Sequence, residues 1–352
     1  MKSFSKTNKV ARRVTMSDIG RASGGCHPST VSLALRNHPG ISLAKRILIQ
    51  KVARKIGYCR DPLLDSFNLH RTQRAANKAL PVIAFVTDFP TRHSLESSPQ
   101  NRALWRGVTA AAEKLSHQVE FFSLTAVNMS AKRLDAVLRA RGINGMVVGT
   151  LKSRPAVLDF SWDRFSAVKI GCSALKAPGD TVEAGLLPGA RFALRRMYSL
   201  GYRRIGLVLD LGSLQQRGDL LRAGVLCEHD RLPQAARVPP LILSTSASSV
   251  RNWVSQYKVD AILAEQTTYQ QVVDVIGRTK AKELGWACTD VAGAAPDIAG
   301  IIIDYEALGS VAVEQVVSLL KIHQRGFARE VSMTFVPVAW KDGGSLPKKN
   351  AS

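Results

Sequence analysis

Acidic residues are almost missing from the first quarter of this 352-residue chain. Residues 1–79 hold three, Asp18, Asp61 and Asp65, against 16 Lys and Arg, so 13 of the 22 excess positive charges lie there. A polyanion neutralised by such side chains releases its counterions and is held in a salt-dependent way. The plainer alternative is a solvated basic tail that aids solubility. The remaining excess is spread over residues 80–352 and carries no specific meaning.

Other absences narrow the class further. No apolar run reaches the roughly 18 residues of a membrane span, and no leader-type apolar stretch stands near the start. A cytoplasmic protein is therefore expected, with no membrane partner. The five cysteines (26, 59, 172, 227 and 288) are odd in number and scattered. None forms C-x-x-C or a Cys/His ligand spacing, so free thiols, no metal and no cofactor are expected. The phosphate-loop, dinucleotide, zinc-protease and nucleophile-elbow signatures are all missing. The seven His residues form no spaced cluster; His93, His117, His229 and His323 fall in polar stretches and are expected at the surface. An enzyme is not expected. No repeat of 20–50 residues is visible. After Trp340 only twelve polar residues remain, too few for the long heptad seam of a four-chain assembly, so a dimer is expected.

What is present is concentrated between Val14 and Tyr58. Thr15 can cap a first helix, with Asp18 three residues on completing the start signal. A Gly24-Gly25 turn follows. Pro28 suits the first position of a second helix, 28–36, because its missing N–H would be unpaired there anyway. Ser29, Thr30 and Ser32 lie on one side of that helix; Val31, Ala34 and Leu35 have the spacing of a buried stripe. A loop, Asn37-His38-Pro39-Gly40, leads to Ser42 and a third helix that packs Leu48, Val52 and Ile56 and stops at Gly57.

The segments Val14-Thr15-x-x-Asp18-Ile19, Pro28-Ser29-Thr30-Val31-Ser32, Ile41-Ser42 and Ile56-Gly57-Tyr58 resemble the headpiece of the lactose/galactose-repressor (LacI-type) family of bacterial transcription regulators. Further on, Leu200-Gly201-Tyr202-Arg203-Arg204-Ile205-Gly206, Val259-Asp260-Ala261-Ile262-Leu263-Ala264 and Asp304-Tyr305-x-x-Leu308-Gly309-x-x-Ala312-Val313 match its effector domain more loosely. The resemblance implies an all-α helix-turn-helix headpiece joined to an α/β two-lobed domain like the periplasmic binding proteins. It implies a DNA-binding regulator, most simply a repressor, that holds a near-palindromic operator as a homodimer and answers to a small-molecule effector, a sugar or another metabolite. The alternative is a cytoplasmic ligand-binding protein whose DNA binding is weakened or altered.

By residue, the resemblance places Pro28, Ser29 and Leu33 against base edges in the major groove. Leu33 stands where the family very often has Arg, which grips guanine; Leu can meet only a thymine methyl or an apolar base face. Phosphate contacts fall to Thr15, His27, Thr30, Ser32, Arg36, Ser42, Lys45 and Tyr58. Phe67, in a hinge helix over residues 62–69, takes the place of the Leu that wedges into the minor groove. The match departs in one respect: between Asp18 and Thr30 there is one residue more than the family pattern. The buried Val becomes Cys26 or Gly25, and the capping Ser becomes His27, an exchange expected to cost about 1 kcal/mol.

From Leu80 the pattern alternates strands and amphipathic helices, which implies two parallel sheets wound on both faces. Nine strands are expected: 82–87, 119–124, 145–149, 167–170, 205–209, 241–243, 261–263, 301–303 and 334–338. The division expected is a basic arm (1–13), the headpiece (14–60), a hinge and linker (61–79), two lobes over 80–340 and a polar tail (341–352). Lobe 1 would hold about 80–177 and 303–332, lobe 2 about 178–302 and 333–340. The helix over 306–320 and the face Leu104, Val108, Ala111 and Leu115 are candidate dimer faces. An effector would bind at the carboxyl ends of the strands. Candidates there are Asp88, Arg217, Arg222, Glu265 and Asp290, of which Asp290 matches a family acidic position. The rest of the set departs from the family's sugar-binding pattern, so a standard hexose site is not expected.

Overall fold

The computed structural model describes residues 14–35, 37–56, 58, 80–126, 129–149, 151, 160–171, 179–213, 219–243, 247–326 and 331–349. Arg36, Phe67, Arg217 and the expected hinge helix lie outside the described residues. The chain divides into two units, the first built on residues 1–80 and the second on 81–317 and 325–352.

The first unit contains α1 (Met16–Ala22), α2 (Pro28–Leu35) and α3 (Leu43–Lys55). Its core is Ile19, Val31, Ala34, Ile49 and Ala53, flanked by Met16, Cys26, Leu35, Ile41, Val52, Ile56 and Tyr58. The inward stripe of α3 is thus 49, 53 and 56, a helical spacing that leaves Leu48 outside, 49% exposed, rather than packed. Cys26, not Gly25, fills the place at the turn.

The second unit runs β1 (Val82–Thr87), α4 (Pro99–Lys114), β2 (Gln118–Ser123), α5 (Ala131–Ala140), β3 (Gly145–Val148), β4 (Ser166–Ile170), β5 (Asp180–Ala184), α6 (Leu186–Ser199), β6 (Ile205–Asp210), α7 (Asp219–His229), β7 (Leu241–Leu243), α8 (Ala247–Gln256), β8 (Ala261–Ala264), α9 (Gln266–Ile276), β9 (Gly285–Cys288), β10 (Ala299–Ile302), α10 (Tyr305–Lys321), β11 (Met333–Val336) and β12 (Ala339–Lys341). Two six-stranded sheets result, in the orders β11-β5-β4-β3-β1-β2 and β12-β10-β9-β8-β6-β7. Among the described residues all pairings are parallel except β12 against β10. Central strands such as β1 and β8 are buried almost throughout, as expected for sheets covered on both faces.

The lobes, the tail and the dimer faces differ from expectation. First, β5 and β11 pair with each other in the first sheet, so residues 180–184 and 333–336 belong to lobe 1 rather than lobe 2. The chain crosses between sheets after β5, after β10 and again between β11 and β12. Strand β5 escaped the sequence because its Asp and Glu break the apolar run; Glu183 is 2% exposed, and its Oε1 accepts the Ala184 N–H. Strands β9 and β12 were missed as well, being four and three residues long. Second, residues 341–349 are not a free polar tail. Leu346 is buried, Ser345 Oγ donates to the Trp286 carbonyl at 2.8 Å, and the Tyr202 hydroxyl donates to the Pro347 carbonyl at 2.8 Å. Third, the apolar faces proposed for dimerisation are covered inside the chain. Leu104, Val108 and Ala111 are buried, as are Leu308, Ala312, Val313 and Val316 on α10. The two helices meet backbone to backbone: a Cβ at Gly107 would stand 2.0 Å from the Glu306 carbonyl oxygen, and one at Gly309 2.4 Å from that of Leu104.

His229, expected at the surface, is 3% exposed at the end of α7. Among the described residues no helix is long and apolar enough to cross a membrane.

Candidate nucleic-acid interface

Local chemistry sets the first helix. The Thr15 hydroxyl donates to Asp18 Oδ2 at 2.6 Å and accepts the Asp18 N–H, while the Thr15 N–H donates back to Asp18 Oδ2 at 2.9 Å. This reciprocal cap satisfies two orphan donors of α1. It also commits the Thr15 hydroxyl proton, so a phosphate contact expected of Thr15 would have to break the 2.6 Å bond.

The longer turn is accommodated at two points. Gly24 and Gly25 both adopt left-handed φ, +89° and +76°, a conformation glycine takes without penalty. The turn then folds back over α1: the Cys26 N–H donates to the Gly20 carbonyl at 2.9 Å. A Cβ at position 20 would lie 2.2 Å from the Cys26 carbonyl oxygen, so only glycine fits beneath the turn.

His27, expected to be a poor cap, does the capping. Its Nδ1 accepts the Ser29 N–H at 3.3 Å, and the Ser29 hydroxyl lies 2.8 Å from the same nitrogen. The ring thus replaces the missing serine oxygen at the N-terminus of α2. His27 and Ser29 are exposed; Pro28, Thr30, Ser32 and Leu33 are half-buried. Leu33 is not among the side chains packed on the core of this unit. Ser42 precedes α3 without a side-chain cap bond and is exposed, as is Lys45. Tyr58 packs against the core.

Two residues not singled out from the sequence hold α2 to α3. Gln50 Nε2 donates to the Ala34 carbonyl at 3.1 Å and to Asn37 Oδ1 at 2.7 Å, and Arg46 donates to the Asn37 carbonyl at 3.0 Å. Asn37 itself ends α2 with φ +56°. Their spacing of four on α3 was the only signal.

In the second unit, Asp88 follows β1, Glu265 follows β8 and Asp290 lies two residues past β9, so all three stand at carboxyl ends of strands. Asp88 is buried. Asp290 is engaged: the Tyr305 hydroxyl donates to Oδ2 at 2.6 Å and the Ala292 N–H to Oδ1 at 3.0 Å. Arg222 is exposed on α7. Tyr305 and Asp210 were not among the residues expected here; Asp210, the last residue of β6, accepts from the Thr268 hydroxyl at 3.3 Å. The Thr289 hydroxyl, beside Asp290, is buried without a hydrogen-bond partner among the described residues. Burial pushes the Cys288 thiol up to about 11, and its Sγ–H donates to the Asp290 carbonyl at 3.0 Å, so it is a protonated core thiol. A cavity of about 460 Å³ lies where the chain crosses between the sheets, lined by residues such as Pro99, Ile303, Tyr305 and Val338. None of the expected effector residues lines it.

No protein-family model and no curated protein sequence matches the chain. Solved structures do. The chain is similar to the transcriptional regulator CelR in its cellobiose complex, with TM-score 0.55 and 16% identity over 95% of this chain and 100% of that one. It is similar to the lac repressor dimer bound to operator and the anti-inducer ONPF, with TM-score 0.53 and 16% identity over 96% and 100%. A periplasmic binding protein/LacI transcriptional regulator from Alkaliphilus metalliredigens, complexed with D-xylulofuranose, gives TM-score 0.54 and 13% identity over 75% and 98%. The fold is therefore the one these LacI-family regulators share, with its α/β lobes of the periplasmic-binding-protein kind.

Proposed function

We propose that this chain is a sequence-specific DNA-binding transcription regulator, acting as a cytoplasmic repressor. Two copies pair and place two α2 helices in the major grooves of a near-palindromic operator. The observation that carries this reading is the N-terminal end of α2. His27 and Ser29 are exposed there, and Leu33 stays outside the core, on a segment carrying 13 of the 22 excess positive charges. Fold likeness to the lac repressor dimer bound to operator supports the pairing.

Pro28, Ser29 and Leu33 face base edges. His27, Thr30, Ser32, Ser42, Lys45 and Tyr58 hold phosphates, with Arg36 beside them. The Ser42 hydroxyl bonds nothing within its helix cap, so it is available to a phosphate at the N-terminus of α3. Phe67 wedges the minor groove. An effector in the interlobe cleft, against Asp88, Glu265 and Asp290, shifts operator affinity by its differential affinity for the two lobe arrangements. With the Asp290 carboxylate already taken by Tyr305, common hexoses are poor candidates. Calorimetry with a panel of them gives no heat of binding; a hexose held at low micromolar would contradict this part.

The test of the reading is selection of bound duplexes from random DNA with the full chain, followed by gel shifts across a salt series. Enrichment of a two-half-site sequence with steep salt dependence supports it. Equal affinity for all duplexes, or no complex, refutes it.

A further inference from the structure

We propose that His27 fixes the hydrogen-bond polarity of Ser29, so that this hydroxyl offers only lone pairs to the groove and selects an amino-bearing base, adenine or cytosine, on the strand it touches. The inference rests on the DNA-reading role above and deepens it.

The Ser29 N–H is one of the orphan groups at the start of α2, and it points at His27 Nδ1 over 3.3 Å. An N–H can only donate, so Nδ1 must hold a free lone pair. In a neutral imidazole the proton then sits on Nε2. The Ser29 hydroxyl lies 2.8 Å from that same Nδ1. Of these two atoms only the hydroxyl has a proton to give, so it donates inward. What remains outward is the lone pairs of Ser29 Oγ and the Nε2–H of His27, both on exposed side chains.

Serine ordinarily reads bases of either kind, because its hydroxyl turns to donate or accept. Here turning breaks the bond to His27. In the major groove adenine N6 and cytosine N4 donate, while guanine O6 and N7 and thymine O4 accept. An acceptor-only oxygen opposite O6 or O4 sets lone pair against lone pair. The histidine that stands in for a serine cap therefore does two things: it satisfies the helix end and it orients the neighbouring reader.

His27→Ser separates the two, since a serine oxygen still caps α2 while the Ser29 hydroxyl is freed. Two measurements on the full chain test this. In selections from random DNA, wild type should favour adenine or cytosine over guanine or thymine by about tenfold or more at one position of each half-site. H27S should flatten that position and leave the others, and S29A should flatten it with weaker binding. Long-range nitrogen–proton spectra of histidine-labelled protein, with His27 assigned by its loss in H27S, should show the Nε2–H tautomer. Guanine or thymine at that position, a preference unchanged in H27S, or an Nδ1–H tautomer overturns the inference. A protein that enriches no sequence while His27 keeps the Nε2–H form overturns the DNA-reading role itself, and the base preference falls with it.

Discussion

Gly20 shows how much one missing methyl group does in the first unit. The turn after α1 lays the Cys26 carbonyl 2.2 Å from where a Cβ would stand, against backbone that cannot rotate away. Gly20→Ala should cost about 2–3 kcal/mol by overpacking. Circular dichroism and thermal melting should show the first unit unfolding early while the second keeps its transition; an unchanged melt would mean that the turn lies elsewhere. Leu33 is the other decisive residue. Leu33→Arg should move the preferred base at one operator position to guanine, read by selection, by about tenfold or more for a bidentate contact. If the selected site does not change, Leu33 does not face the groove. Among the thiols, exposed Cys227 should react with iodoacetamide in the native protein, while Cys288, buried and held at about 11, should react only after unfolding. The Thr15–Asp18 cap was legible in the sequence because both partners lie within one helical turn. The His27 cap was not, because it depends on how an imidazole turns towards Ser29. Nor was the Asp290–Tyr305 bond, whose partners are fifteen residues apart and meet only after the chain leaves β10.

At the scale of elements, α6 and α7 are joined by a carboxylate between guanidinium groups. Glu228, 5% exposed, takes Arg191 at 2.7 Å and Arg195 at 2.9 Å. The Arg195 hydrogen bond, ahead of that from Arg191, holds the carboxyl below its ordinary value against the opposing effect of burial. Its neighbour His229 is pushed below the ordinary imidazole value by burial. Both shifts act in the same direction. A group with a lowered folded pKa binds fewer protons folded than unfolded, so its contribution is full above the unfolded value and is lost as pH falls through the folded one. Stability of the second unit should therefore drop first below the ordinary histidine value of 6.5 and again below the carboxylate value of 4.5. Glu228→Gln should cost about 2 kcal/mol at neutral pH and make the lower step shallower, the remainder coming from carboxylates such as Asp342, which Arg196 also holds below its ordinary value. Denaturant melts at several pH values check both, and a flat profile would contradict the account. Apolar strands such as β1 and β8 were legible because burial on both faces leaves an unbroken hydrophobic run. Strand β5 was not, because its buried Glu183 is held by polar contacts such as the Ala184 N–H, which a hydrophobicity pattern cannot show.

For the molecule as a whole, the alternation of strands and helices was readable except at β5, β9 and β12, but the division into lobes was not. Strand β11 stands beside β5 although about 150 residues separate them, and pairing at that distance leaves no local mark. The covered faces of α4 and α10 follow from the same long-range packing, which leaves those apolar residues closed to a second copy. The central claim, that a basic helical unit on this two-lobed fold reads DNA, is tested most directly by fluorescence anisotropy of the full chain. The probes are its selected duplex and a scrambled one, compared from low to physiological salt. With roughly four phosphates neutralised by Lys45 and Arg36 across two half-sites, the log–log salt slope should be about −4, and the selected duplex should bind about a thousandfold or more tighter than the scrambled one. Equal affinity for both duplexes, or binding that ignores salt, would contradict the account.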